Sequence, residues 1–252
     1  MLTARRVALV TGASRGLGHA AAVALAAQGF DLFLAAEGTA AEFLSVDEAC
    51  RRAGPGDAAH GLFDLAEAGA AERMAAAALA RFGRVDVLVN NAGQRCAKPF
   101  GSFSRAEFDQ LVQVNVAAAF FASQAVLPVM RAQGGGCIIN MASQMGRVAA
   151  RGNAVYGLTK AALIHLTRSM ALELSADNIL VNSISPGPID VAFNRTRYAA
   201  NPAGWSAMER MVPLGRFGMP SEVAEAVVFL ATSEGRFIQG HDLVIDGGYI
   251  IQ

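Results

Sequence analysis

Short β-branched or apolar runs alternate with longer alanine-rich stretches along nearly the whole chain, and this alternation constrains the fold more than any other property of the sequence. It is the mark of βαβ units, in which parallel strands are joined by crossover helices. Strands are expected at 7–10, 31–35, 58–63, 85–90, 137–141, 180–184 and 243–245, and several of these runs are apolar on both faces, as buried parallel strands are. Helices are expected at 16–28, 40–52, 68–82, 104–131, 154–174 and 221–231, with a broken region at 188–211. The expected architecture is a single α/β domain spanning residues 1–252, a doubly wound seven-stranded parallel sheet flanked by helices. The least regular stretch, about 187–218, holds Pro188, Pro202, Gly204, Pro213, Gly215 and Gly218. It reads as a substrate-binding loop region over the carboxyl edge of the sheet, where such folds take ligands.

At 252 residues and 53% hydrophobic, the chain can bury one large core. Its formal net charge is zero, so no basic stripe or charged tail points to nucleic acid. The start, MLTARRVALVTG, runs straight into a strand without a signal-peptide pattern, and stretches such as 20–27 are too short to cross a bilayer. A cytoplasmic protein with no membrane partner is expected. Cys50, Cys96 and Cys137 match no metal or redox spacing and read as free thiols, Cys137 in a buried strand, so no metal is expected.

Chemistry-bearing residues gather between 143 and 160. In a helix starting near Ala154, Tyr156 and Lys160 share one face a turn apart. An ammonium held there favours the phenolate and would lower the tyrosine pKa from its usual value of about 10. Ser143, at the polar end of an apolar run, can bring a hydroxyl to the same point. A Tyr four residues before a Lys is also common on any solvated helix, so the pair alone carries little.

A second cluster surrounds a glycine turn. Gly12, Ser14, Arg15, Gly16, Leu17 and Gly18 stand between the first strand and an alanine-rich helix, in the order that lets backbone approach a pyrophosphate at a helix N-terminus. The spacing is G-x-x-x-G-x-G, not the common G-x-G-x-x-G. Asp64 and Leu65 follow the third strand, and Asn91, Ala92 and Gly93 the fourth, at edges where adenine and ribose would lie. Together they point to NAD(H) or NADP(H). Glu37, about 20 residues past the turn, favours NAD through the ribose 2′-hydroxyl, whereas Arg15 favours a 2′-phosphate. Both can equally be solvated charges, or a pair with each other.

These residues resemble a classical short-chain dehydrogenase/reductase, a Rossmann fold, over essentially the whole length. The resemblance rests on T-G-x-x-x-G-x-G at Thr11 to Gly18, N-N-A-G at Asn90 to Gly93, Asn115, Ser143, Y-x-x-x-K at Tyr156 to Lys160, and Pro186-Gly187. It implies a catalytic tetrad of Asn115, Ser143, Tyr156 and Lys160. Tyr156 would be the acid/base, Ser143 would polarise the substrate oxygen, Lys160 would bind the nicotinamide ribose and lower the tyrosine pKa, and Asn115 would support a proton-relay water. Pro186 and Gly187 would complete the nicotinamide site. The family usually places a Thr three or four residues on, where this chain has Val191, so recognition of the nicotinamide amide falls to the backbone of Ile189. Gln239 replaces the Thr of the family's I-T-G as a structural change, and the resemblance also implies a homotetramer, or a homodimer, assembled through the long helices.

A small-molecule substrate is expected, a secondary alcohol or its ketone. Pocket candidates are Gln94, Arg95, Cys96, Gln144, Met145, Arg151, Asn153 and the segment around Phe193 to Trp205. The arginines at 95, 151, 195 and 197 make a sugar acid, polyol or keto acid attractive, although each taken singly is an ordinary surface charge. A 3-oxoacyl thioester is the competing substrate. Other classes are a non-catalytic nucleotide-sensing protein, which has no use for Ser, Tyr and Lys at these intervals, and a nucleotide-sugar epimerase or dehydratase, which commonly carries an added domain.

Overall fold

Strands buried on both faces must satisfy their backbone groups sideways, and the apolar runs do so by pairing in parallel. The computed structural model describes residues 5–232 and 236–251; residues 1–4, part of the reading of the N-terminus, lie outside it. Among the described residues, seven strands form one sheet. β1 (Val7–Thr11) lies between β2 (Asp31–Ala36) and β4 (Val87–Asn90), with β3 (Ala58–Leu62) beyond β2. On the other side follow β5 (Gly136–Met141), β6 (Ile179–Pro186) and β7 (Asp242–Ile245), giving the order β3-β2-β1-β4-β5-β6-β7. The winding direction reverses between β1 and β4, and connections leaving their carboxyl ends in opposite directions open a crevice there.

Alternating side chains feed two cores, as a period of two requires. Ala8, Val10, Leu32 and Leu34 pack against α1 (Gly16–Ala27), α2 (Ala40–Ala53) and α9 (Pro220–Ala231). Leu9, Phe33 and Leu88 face α3 (Ala70–Phe82) and α5 (Ala118–Ala132) on the opposite side, with the end of α6 (Ala154–Leu174). The run Arg105–Ala132 is long and apolar enough to span a bilayer, yet Ala118, Ala122, Val126 and Met130 within it pack in this second core.

The helix expected over 104–131 is present as one continuous run, Arg105–Ala132, but it is not α-helical throughout. α4 (Arg105–Val112), capped by Ser104 and Glu107, passes into a π-helical turn, Gln113–Ala117, before α5 begins. Strand limits shift as well: β4 starts at Val87, and β6 extends to Pro186 because that residue still pairs with Ile245. The irregular stretch contains α7 (Ala192–Tyr198) and α8 (Pro202–Arg210), the latter capped by Asn201 accepting from Gly204 N–H, with Pro202 in its first turn.

Two polar side chains, Gln239 partly buried and Asp242 buried, tie the far edge of the sheet. Gln239 accepts from Val181 N–H and donates to the carbonyls of Ala171 and Ile179 and to Ser175 Oγ, the structural use expected of it. Asp242, 4% exposed, accepts from Ser183 Oγ at 2.7 Å, Ser185 Oγ at 2.8 Å and Arg147 Nε at 2.5 Å. Removing that carboxylate strands a guanidinium and two hydroxyls. Asp242→Ala is expected to cost about 3 kcal/mol, lowering Tm by roughly 10 °C in calorimetry; an unchanged Tm would contradict the role.

Candidate active site

The glycine turn is held from below by the loop after β4. Thr11 Oγ1 accepts from the N–H groups of Asn91 and Ala92, both at 2.9 Å, and the Asn91 side-chain amide donates to Thr11 O at 2.8 Å and Gly12 O at 3.2 Å. Gly12 has φ +63°, which favours glycine. At Gly18 a Cβ would overlap the Gly12 carbonyl and stand 2.5 Å from the Asn91 amide nitrogen. The first turn of α1 holds no acidic residue and its N-cap side chain makes no cap bond, so its N–H groups are available to an anion.

Above the turn lies a cavity of about 480 Å³. Gly12, Ser14, Arg15, Gly16 and Leu17 line one wall, Glu37 with Asp64 and Leu65 the end under β2 and β3, and Asn91, Ala92 and Gly93 the floor. Gly18 does not line it; its part is the tight packing beneath. A glycine cradle, unbonded helix N–H groups and carboxylates at the far end fit a dinucleotide. Arg15 and Glu37 face each other at 3.7 Å, so these two candidates for cofactor choice form a pair.

A second cavity, about 450 Å³, meets the first along Arg15, Asn91, Gly93 and Val191. The structure brings Ser143, Tyr156 and Lys160 to its wall. Ser143 follows β5 and starts a short 3-10 turn, its Oγ accepting from Met145 N–H at 3.2 Å. Tyr156 and Lys160 stand one turn apart on α6, the ammonium 5.8 Å from the phenol ring centre. Lys160 is buried and donates to Met141 O at 2.8 Å.

The expected depression of the Tyr156 pKa by Lys160 is not what the structure produces. Burial pushes the phenol up, opposed by a hydrogen bond with Ser143 and by the Arg95 guanidinium, 5.5 Å from the ring centre. Lys160 spends its bond on Met141 and is itself lowered to about 8, from 10.5, by burial. Between pH 8 and 10.5 the unfolded chain therefore binds the proton that the folded chain has lost, so this residue makes stability rise with pH in that window. Below pH 8 the full cost is present, about 3 kcal/mol. Lys160→Met is expected to be more stable than the parent at pH 7, with the gap closing towards pH 10.5 in denaturant titrations; a pH-independent gap would contradict this account.

Asn115 lies behind the cavities rather than in their lining. It is 1% exposed, at the centre of the π turn. Its Oδ1 accepts from Gln94 N–H at 2.7 Å, and its amide donates to Gln94 O at 2.9 Å and Thr159 Oγ1 at 3.0 Å. Thr159 in turn donates to Tyr156 O at 2.8 Å, so Asn115 couples the loop after β4 to the helix bearing the tyrosine.

Pro186, Gly187 and Ile189 line the second cavity. The Ile189 carbonyl is taken by Val191 N–H and the Asn194 amide, which leaves its N–H for a ligand. Thr196, five residues beyond Val191, lines the first cavity. Arg95, Gln144, Arg151 and Asn153 all line the second. Gln144 is buried and its Oε1 has no partner, a polar atom suited to a ligand donor. Arg195 departs from expectation: it pairs with Asp190 at 2.6 and 2.9 Å, outside the lining, because the fork reaches a carboxylate five residues back on its own segment. Phe217 lies in the 187–218 stretch read as substrate-binding, whereas sequence reasoning passed over Tyr249, which reaches the second cavity from the chain's last segment with no local signal. It also gave Thr11 and Thr159 no role, although each stands inside a recognised motif. Beside the second cavity, whose lining includes Tyr198 and Phe217 but not Trp205, the Trp205 ring of α8 stacks on Phe217 at 3.8 Å, with Tyr198 of α7 edge-on to both.

The family model described as Enoyl-(Acyl carrier protein) reductase matches residues 12–250. D-threitol dehydrogenase of Mycolicibacterium smegmatis is 38% identical over 252 residues, covering 98% of this chain and 94% of that one. A short-chain dehydrogenase/reductase from Serratia marcescens superposes with a TM-score of 0.90 at 34% identity, covering 97% of both chains. A protein from Agrobacterium tumefaciens, assigned as a 2-deoxy-D-gluconate 3-dehydrogenase and solved with bound NADP, superposes with a TM-score of 0.87 at 33% identity, covering 98% of this chain and 97% of that one.

Proposed function

The chain is a member of the classical short-chain dehydrogenase/reductase family, and on that premise we propose that it interconverts a secondary alcohol and a ketone on a small polar molecule, a polyol, sugar acid or keto acid. It is an NAD(P)-dependent oxidoreductase acting on CH–OH groups. One observation carries the proposal: Ser143, Tyr156 and Lys160 stand together where the nucleotide-sized cavity opens into the second one. A bound nicotinamide supplies the hydride donor or acceptor.

The chain's own groups do the rest. Tyr156, whose pKa burial raises above its ordinary value of about 10, holds at neutral pH the proton that a carbonyl oxygen needs on reduction. Ser143 donates to the same oxygen and strengthens its bond as negative charge grows there. Lys160, charged below about pH 8, keeps a cation beside the phenol and is the candidate to hold the nicotinamide ribose. Asn115 fixes the tyrosine helix against the loop after β4, a positioning role beside the relay that the family resemblance implies. Gly12 to Gly18, with Asn91 to Gly93, would hold the pyrophosphate and adjoining ribose, and Glu37, Asp64 and Leu65 the adenosine end.

The decisive experiment is titration with NADH and NADPH separately, followed by a panel of polyols, sugar acids, keto acids and acetoacetyl-CoA read at the nicotinamide absorbance. Cofactor binding with no turnover of any member would overturn the dehydrogenase reading. We further infer a homotetramer, supported by exposed Phe120 and Phe121 on α5 and Leu158 and Leu172 on α6; a monomer in light scattering would refute it.

A further inference from the structure

We propose that Arg95 and Arg197 form a carboxylate clamp beside Tyr156, so that the preferred substrate is a short hydroxy acid, or its keto acid, rather than a neutral polyol. The clamp rests on the dehydrogenase reading for its meaning, but not for its test. The first support is a charge imbalance. The second cavity is lined by Arg15, Arg95, Arg151, Lys160 and Arg197 and by no Asp or Glu. The chain as a whole carries 21 basic and 21 acidic residues, so this wall is cationic against a neutral background. Arg15 has Glu37 as a partner, whereas Arg95 and Arg197 have no acidic partner within ion-pair distance among the described residues.

The second support is orientation. Arg95 is partly buried, and its Nε donates to Asn153 Oδ1 at 2.9 Å. The Asn153 amide donates to Arg151 O at 2.9 Å, which turns the Asn153 oxygen towards Arg95 and leaves the two terminal nitrogens of the guanidinium for a ligand. Arg197, on α7, places its guanidinium 5.3 Å from the Tyr198 ring centre and close enough to Arg95 for the two to repel. The titratable side chains around Arg95 are Arg197 and the phenols of Tyr156, Tyr198 and Tyr249, with no carboxylate among them. Two guanidiniums on the wall of one cavity, one of them desolvated, are costly until an anion joins them, and a planar carboxylate matches the donor fork. Arg95 stands 5.5 Å from the Tyr156 ring, so the carboxylate and the reacting carbinol can be only a few bonds apart.

Isothermal titration in saturating NADH or NADPH, whichever binds more tightly, tests the clamp with two matched pairs, D-threonate against D-threitol and D-gluconate against sorbitol. The parent protein should bind each acid about 30-fold more tightly than its polyol, the range of a charge-assisted hydrogen-bonded pair. Arg95→Gln and Arg197→Gln should each bring that ratio down about tenfold, and Arg95→Lys, which keeps the charge without the fork, should restore part of it. Thermal melts check folding, and Arg197, being exposed, still carries the test if Arg95→Gln fails to fold. Polyols binding as well as acids, no binding of either acid, or a ratio unmoved by both Gln substitutions would overturn the clamp. Because binding is read without turnover, a protein that prefers the acids yet oxidises no alcohol refutes the dehydrogenase reading and leaves the clamp standing.

Discussion

Tyr156→Phe is expected to lower kcat by about a thousandfold or more in both directions while changing the dissociation constant of NAD(P)H by less than about twofold, because a positioned acid or base contributes roughly 10²–10⁴. The substitution keeps the ring, and with it the packing under Arg95, and removes only the hydroxyl that bonds to Ser143. Its pH signature follows from the direction of the shift. Burial holds the phenol protonated, so in the parent the alcohol-oxidising rate should climb as pH rises through the alkaline range, while the ketone-reducing rate is sustained at neutral pH. Any residual rate in Tyr156→Phe should lose that dependence. Near-parental turnover, or an unchanged pH profile, would remove Tyr156 from the chemistry.

Gly18→Ala carries the second large effect. At an ordinary helical position the change gains about 1 kcal/mol of helix propensity. Here the added methyl falls inside the Gly12 carbonyl and 2.5 Å from the Asn91 amide nitrogen, and the carbonyl is backbone that cannot swing aside. Relief requires separating the glycine turn from the loop after β4, the two segments that shape the nucleotide cavity. A loss of about 3 kcal/mol in stability, with NAD(P)H affinity reduced at least roughly a hundredfold, is the expected outcome in calorimetry and fluorescence titration. Gly101→Ala, where nothing lies within 4 Å and φ is not positive, should change neither. Parental affinity in Gly18→Ala would show that the turn can yield.

What could be read in advance follows from the range of each interaction. The strands and crossover helices rest on periodicities within a few residues, so the seven strands and their succession along the chain were legible from apolar runs such as Val7–Thr11, while their order in the sheet was not. The glycine turn was legible because its requirements are nearly all local. The π turn was not: Gln113–Ala117 reads as ordinary helix, and its distinguishing bonds, from Asn115 to Gln94 and Thr159, belong to tertiary structure. Proximity of Tyr156 and Lys160 followed from helical spacing, but the direction of the phenol's pKa did not. That depends on how deeply the ring is buried and on Met141, which claims the ammonium from β5. The approach of Arg197 to Arg95 spans about a hundred residues and had no signature beyond a surplus of arginines in the region.

The aromatic stack beside the second cavity has a spectroscopic consequence. Trp205 is the chain's sole tryptophan, and it rests on Phe217 with its indole N–H bonded to Glu209, while Tyr198 of the neighbouring helix meets it edge-on. Indole emission from this protein therefore arises at one place, against two aromatic rings that line the second cavity. The native fold thus carries an optical gauge, free of any attached dye, whose colour registers how wet the half-buried indole is where it rests on Phe217.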